Sequence, residues 1–487
     1  MSVSRPAAEE VTEPNRLDRL NDKVQSVFGT LAIDKRRLAM SQLAKRGVPA
    51  YVAEWVLDSI IPGSGPLTPE ESEKLQRWVD RYIPGPGDAN AIKNRLMQGE
   101  MVKVLTNVSV EIELSRKRQD RVAVMKLLGI NDAYINDEMI QQHPDLLNQG
   151  MWGVVQLVNT PDGVILDHFR PMQATIDLSL YKEARAQFTL EEWLALMLIS
   201  MGYNPDAFTP DEQVLLLSRL LPLVQKNMHM IELAPKGTGK SYIYENISPR
   251  VRLVSGGNVS PAVLFVNNAT NQWGILARYS VVVLDEVQTL KFDSPGEIIG
   301  GLKGYLANGR LTRGGRNETS SDAGLVLLAN ILLDRYQRPL RDPLVRDLPL
   351  FMQETAFLDR MRALIPGWQL PKLSADSFAQ SIGLKSDFFG DALIALRNDL
   401  EIDQLAARRI RLVGNNIYKR NLDSVYAIAS GMVKLLFPHG VFSDEEFAYY
   451  CVRPATQLRQ NIWDQLQRLD DEFQQYEPRI VAEVIPD

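Results

Sequence analysis

A single cysteine, Cys451, in 487 residues excludes any intramolecular disulfide and any zinc site built on cysteines. That usage fits a reducing, cytoplasmic setting. Histidine is almost as scarce. His143, His168, His229 and His439 are the four, and none is spaced with another as a metal-binding pair. No apolar run approaches the ~20 residues that a membrane span needs. The first ten residues are polar and acidic, unlike a secretory signal. An excess of positive charge is missing too. The net charge is −6, so any contact with nucleic acid must come from charge concentrated locally, in a groove or a pore. What is present is an ordinary globular composition, 45% hydrophobic and 23% charged, in a chain long enough for about three domains.

Patterning divides the chain. Residues 1–15 read as a disordered leader. Residues 16–98 read as a helical domain, with Leu17, Leu20, Val24 and Phe28 at helical spacing and a capping box at Thr68 and Glu71. Over 99–182 the period falls to two. Strands are expected at 101–105, 108–114, 121–127, 152–158 and 163–166, which suggests a small OB-like barrel. Capping boxes at Thr189/Glu192 and Thr209/Glu212 open two helices. Strands then alternate with helices to about 365, the pattern of a parallel sheet with crossovers. The expected fold class is therefore α/β, a phosphate-loop core over 183–365 behind helical and β-barrel modules. A helical lid is expected over 366–440 and a tail over 441–487 with one helix from Thr456 to Tyr476.

The richest segment is Ala234, Pro235, Lys236, Gly237, Thr238, Gly239, Lys240 and Ser241, between an apolar run and a helix start. A strand, a glycine turn and a helix N-terminus form a cradle for phosphate, with the lysine as a point charge and the serine hydroxyl as a ligand for Mg²⁺. The first position of the usual pattern is glycine; here it is Ala234. An ordinary glycine turn is the bland alternative.

Residues 280–286 form a β-branched apolar strand ending in adjacent carboxylates. Asp285 would hold Mg²⁺ and Glu286 would polarise the attacking water. Asn330, ending the strand 324–330, is the candidate sensor of the γ-phosphate, or else a turn residue. Arg360, with Arg362 as the alternative, is the candidate arginine finger for a neighbour's site. Arg420 opens a lid helix as a second sensor or a surface arginine. The segment 308–317 reads as a glycine-tipped hairpin carrying Arg310, Arg313 and Arg316, suited to phosphates in a pore or merely solvated. Arg116, Lys117 and Arg118, with Arg121, form a second basic cluster, a DNA contact or a solvated turn. Trp273, Gly274 and Ile275 imperfectly match the aromatic–glycine loop with which unfoldases grip polypeptide.

The blocks 232–241, 255–257, 264–267, 283–286, 329–330, 357–361 and 365–368 together resemble the BrxL family, the AAA+ component of BREX phage-exclusion systems. The resemblance continues through 413–416 and 431–438. It implies an AAA+ core with lid, similar to that of the MCM helicases, and an ATPase that uses ATP and Mg²⁺. It further implies a hexameric ring, alone or as a stacked pair, that binds double-stranded DNA and works with other phage-defence components. Longer members carry a Lon-protease-like C-terminal domain. Only about fifty residues follow the lid here, so no peptidase activity is expected. A protein unfoldase and a nucleotide-gated scaffold remain the alternatives to a DNA motor.

Overall fold

The computed structural model describes residues 16–85, 87–114, 119–172, 176–268, 272–313, 317–414 and 416–486. The expected leader, and with it the basic residues Arg116, Lys117, Arg118 and Arg316, lies outside the described residues.

Five helices come first: α1 (Arg16–Phe28), α2 (Lys35–Ser41), α3 (Ala50–Ile60), α4 (Pro69–Tyr82) and α5 (Ala89–Met97). On α1 the buried positions are Leu20, Val24 and Phe28, one stripe at four-residue spacing. At α4 the reciprocal cap is formed: Thr68 accepts from the Glu71 N–H while the Glu71 carboxylate accepts from the Thr68 N–H.

A closed five-stranded barrel follows, built from β1 (Val102–Leu114), β2 (Gln119–Met125), β3 (Ile130–Tyr134), β4 (Met151–Thr160) and β5 (Gly163–Pro171). The order around the barrel is β1-β2-β3-β5-β4, with β4 pairing back onto β1. Two expected strands, 101–105 and 108–114, are one continuous β1 that bends across the barrel. It pairs β4 along its first half and β2 along its second. Strand β3 has no counterpart in the sequence reading. Its burial runs buried, exposed, exposed, buried, exposed, which breaks the two-residue period, and a register shift between Ala123 and Met125 sits opposite it.

Two helices, α6 (Leu190–Ser200) and α7 (Pro210–Ser218), lead into an all-parallel five-stranded sheet. Its strands are β6 (Met230–Ala234), β7 (Val251–Ser255), β8 (Val281–Asp285), β11 (Gly324–Asn330) and β12 (Ala363–Pro366), in the spatial order β12-β6-β11-β8-β7. Helix α8 (Lys240–Asn246) follows β6. Helix α9 (Pro295–Asn308) and the antiparallel hairpin β9 (Arg310–Arg313) and β10 (Asn317–Ser320) separate β8 from β11. Both faces of the sheet are covered. Val281 and Val283 of β8 join one core, while Val282 and Leu284 join the other, so this central strand reads as an apolar run up to Asp285.

Helices α10 (Ser386–Leu396), α11 (Leu400–Arg408) and α12 (Lys419–Leu436) fill the expected lid region, which also contains a strand, β13 (Ile410–Val413). The C-terminal segment is not a free tail. Its long helix α13 spans Arg453–Leu469, not 456–476, and buries Ala455 and Leu458 in one core and Ile462, Trp463 and Leu466 in the other. Strand β14 (Val481–Val484) then pairs with β13.

Candidate functional site

The loop between β6 and α8 is shaped by two glycines with left-handed backbones, Gly237 (φ 88°) and Gly239 (φ 72°), a conformation that side chains with a Cβ resist. Ala234 ends β6 fully buried. A Cβ built on Gly367 would lie 2.5 Å from the Ala234 Cβ. The glycine just after β12 is thus what makes room for alanine at the first loop position.

Five polar side chains converge at the carboxyl ends of β6, β8 and β11. The Lys240 ammonium donates to Asn330 Oδ1 at 2.6 Å, and Asn330 Nδ2 donates to Glu286 Oε1 at 3.2 Å. Beside this chain the Ser241 hydroxyl donates to Asp285 Oδ2 at 2.8 Å. Lys240 is buried, and burial pushes its ammonium below the ordinary value while Glu232, Asp285 and Glu286 pull it back. Glu286 has φ 48°, a left-handed backbone on a non-glycine residue. Such strain persists where the surroundings fix it, and it concentrates at functional sites. Here the residue so held is the one whose carboxylate accepts from Asn330.

The oxygens of Ser241 and Asp285 fit Mg²⁺, which is held by one or two protein oxygens together with substrate phosphates. Among the described residues no group of three or more His, Cys, Asp or Glu is arranged to hold a metal. Bound Mg²⁺ would supply charge neutralisation at the phosphates. Lys240 offers a second cation, Glu286 a carboxylate able to orient water, and Asn330 an amide that touches both.

The arginines fall elsewhere. Arg360 and Arg362 immediately precede β12, whose Ala363 pairs with Met230 at the start of β6. The loop leaves the other end of β6, roughly 13 Å away along the strand. Arg362, the alternative finger, is committed inside its own chain: its guanidinium donates to the carbonyls of Asn227 and Asp423 at 3.0 and 3.2 Å. Arg420 ion-pairs with Asp359 and donates to Tyr418 at 3.2 Å. It therefore stands with Arg360 and is not brought to the phosphate loop of its own chain. Burial opposes the Arg420 charge, but Asp359 holds it above its ordinary value. Arg459, fully buried, donates to Asp359 Oδ1 at 3.2 Å and to the Met361 carbonyl at 2.7 Å, which ties α13 to this cluster.

The expected hairpin is present as β9 and β10. Arg310 is exposed and faces Glu318 at 3.4 Å, so its charge is partly answered. Arg313 closes β9, and its side chain falls outside the described residues. Arg121 is paired with Asp137. Trp273 is half-buried against the core, and Gly274 packs so tightly that a Cβ would lie 2.5 Å from the Val263 carbonyl oxygen. That segment is a packed element rather than an exposed gripping loop.

Sequence reasoning missed the loop's underside. Tyr203, Arg219 and Glu232 lie there, all buried. The available signal was Glu232, a lone charge inside an otherwise apolar strand. Also missed was the strap after β12, where the Leu373 N–H donates to the Gly237 carbonyl at 2.8 Å.

A phosphate loop, a strand-end acid pair and a polar strand tip on a parallel sheet define the class of phosphate-loop ATPases. Two family models match: "Lon-like protease BrxL-like, ATPase domain" over residues 164–479, and "BREX system Lon protease-like protein BrxL N-terminal" over 26–158. The chain belongs to the BrxL family. It is 30% identical over 434 residues to Lon-like protease BrxL of Escherichia coli O9:H4 (strain HS), covering 87% of this chain and 61% of the relative. It is 29% identical over 473 residues to that of Bacillus cereus (strain H3081.97), covering 93% of this chain and 67% of the relative. Among solved structures, a full-length MCM homolog from Methanopyrus kandleri aligns with TM-score 0.39 and 12% identity, over 90% of this chain and 97% of that one. No helix among the described residues is long and apolar enough to cross a membrane.

Proposed function

We propose that this chain is an AAA+ ATPase that assembles into a hexameric ring around double-stranded DNA and acts with other components in phage exclusion. The observation that carries the ATPase reading is the Lys240–Asn330–Glu286 chain of hydrogen bonds beside the Ser241–Asp285 pair. Those five residues supply the phosphate cation, the metal ligands, the water-orienting carboxylate and the sensor that phosphoryl transfer to water requires. Numbered within the sheet, the strand order is 5-1-4-3-2, which we read as the AAA+ arrangement; the barrel order 1-2-3-5-4-1 we read as OB-like.

Ring assembly follows from the arginines. Arg360 and Arg420 sit at the end of the sheet opposite their own loop, so they serve only a nucleotide held by a neighbour. Duplex DNA is the proposed occupant of the ring because the sequence concentrates Arg310, Arg313 and Arg316 in one short segment and Arg116, Lys117 and Arg118 in another. An unfoldase is less favoured, since Trp273 and Gly274 are packed into the fold.

The test measures ATP turnover with and without duplex DNA, and DNA retention as salt rises. Phosphate contacts release counterions, so affinity should fall steeply with salt, and replacing both Arg310 and Arg313 with alanine should lower the slope of log affinity against log salt by about two for each protomer whose hairpin engages the duplex. Salt-independent binding, or none, would remove DNA from the proposal and leave the ATPase.

A further inference from the structure

Beneath the phosphate loop lies a polar cluster out of reach of solvent. Arg219 is fully buried just after α7, and its guanidinium forks onto Glu232 of β6 at 2.6 and 3.1 Å. Both of its Nη atoms also donate to the Thr238 carbonyl, each at 3.2 Å. Its Nη1 donates to the Tyr203 hydroxyl at 3.4 Å, and that hydroxyl donates in turn to the Gly239 carbonyl at 3.3 Å. From α8 the Tyr244 hydroxyl donates to the Arg219 backbone carbonyl at 2.9 Å. The strand entering the loop, through the guanidinium, and the helix leaving it, through the backbone carbonyl, are thus tied to one residue, Arg219.

We propose that Arg219, held by Glu232 and extended by Tyr203, is the positioning residue that presets the loop to receive phosphate. It does so by drawing the carbonyls of Thr238 and Gly239 inward. In a trans peptide the C=O and the N–H point opposite ways. The Thr238 carbonyl shares its peptide with the Gly239 N–H, and the Gly239 carbonyl shares its peptide with the Lys240 N–H. Anchoring the two carbonyls below therefore turns both N–H groups outward, toward an anion at the helix start. A chain of hydrogen bonds also polarises its members, so a cation at the base strengthens the donors at the top. Burial opposes the Arg219 charge, and Glu232 beside it more than restores it. A buried ion pair contributes little stability over well-packed apolar side chains. The bonds to the loop carbonyls are what apolar replacements could not supply. This inference rests on the nucleotide-binding reading above.

The test uses the full chain, titrated with fluorescent mant-ADP and, by competition, AMP. Tyr203→Phe removes one hydroxyl and keeps the ring against Phe208, 5.8 Å away centroid to centroid. Expected is a roughly fivefold loss of ADP affinity with AMP affinity held within about twofold, since the loop donors act on the β-phosphate. Arg219→Lys keeps a cation but loses the fork, and its ADP loss should be larger, about tenfold or more. A general loosening of the fold would lower both affinities together. That outcome, or an unchanged ADP affinity in Tyr203→Phe, overturns the proposal. Should Arg219→Lys fail to fold, Tyr203→Phe alone decides. If the unaltered chain binds neither nucleotide, the ATPase reading falls, and this inference with it. Binding of ADP by the unaltered chain with no ADP-selective loss sinks the inference only.

Discussion

Gly367→Ala tests the packing that admits alanine at the first loop position. The added methyl would sit 2.5 Å from the Ala234 Cβ, 2.8 Å from Glu232 Oε1 and 3.1 Å from the Leu233 carbonyl oxygen. Ordinary carbon contacts lie at ~3.5–4.0 Å. All three neighbours are buried in the sheet, so none yields freely, and overpacking of this kind costs about 1–3 kcal/mol. Because Glu232 is one of the residues displaced, the strain passes to Arg219 and the loop, and ADP affinity should fall as well. Ala234→Gly in the same chain removes the closest contact but leaves Glu232 in the way. The double variant should recover part of the loss, with a coupling of about 1 kcal/mol. The assay is thermal or denaturant unfolding, followed through the transition that Mg-ADP raises, together with mant-ADP titration. A loss under ~0.5 kcal/mol for Gly367→Ala, the range of a neutral surface change, would refute the packing argument. So would strict additivity of the two substitutions.

A buried acid and a shared active site give two further expectations. Burial raises the Asp387 carboxyl to about 6 from 3.8, against a hydrogen bond from the Phe388 N–H, with Glu54 adding to the rise. A folded-state value above the unfolded one means that the ionised group opposes folding at neutral pH, an opposition that fades between about pH 6 and pH 4. Asp387→Asn should stabilise the fold at pH 7.5 by up to ~3 kcal/mol, with the advantage gone by about pH 4. Unfolding curves at the two pH values check this, and an advantage that grew on acidification would contradict it. Arg360→Ala should cut turnover by about 10³-fold and leave ADP binding intact. Mixed and reassembled with inactive Lys240→Ala chains, it should regain about a quarter of full activity, because random neighbours pair an intact loop with an intact arginine that often. A mixture that stays inactive would show that the two residues do not meet across subunits.

The phosphate loop and the acid pair were legible because local chemistry dictates them. Glycines, lysine and serine at fixed offsets need only a strand before and a helix after, and the run 281–284 is apolar because both its faces are buried. Helix starts were legible at Thr68, Thr189 and Thr209, where the reciprocal caps are local and all three are formed. What escaped depends on contacts remote in sequence. Strand β3 carries Asn131 and Asp132, turn-favouring residues, and is held by its neighbours across a register shift. Arg219 acquires a role only once β6 and the loop fold over it. Arg420 reads as part of a lid helix, yet its partner Asp359 lies 61 residues earlier. The C-terminal segment looked like a tail because its pairing strand, β13, is an alternating four-residue run inside a helical region.

The most direct measurement compares Mg²⁺-dependent phosphate release from ATP by the unaltered chain and by Glu286→Gln, with mant-ATP binding recorded on the same samples. The substituted amide would keep a side-chain oxygen able to accept from Asn330 and lose the charge that orients water. Expected is binding within about threefold and turnover reduced at least ~10²-fold. Equal turnover in the two proteins, or an unaltered chain that binds no ATP, would contradict the assignment of Lys240, Ser241, Asp285, Glu286 and Asn330 as one hydrolytic site.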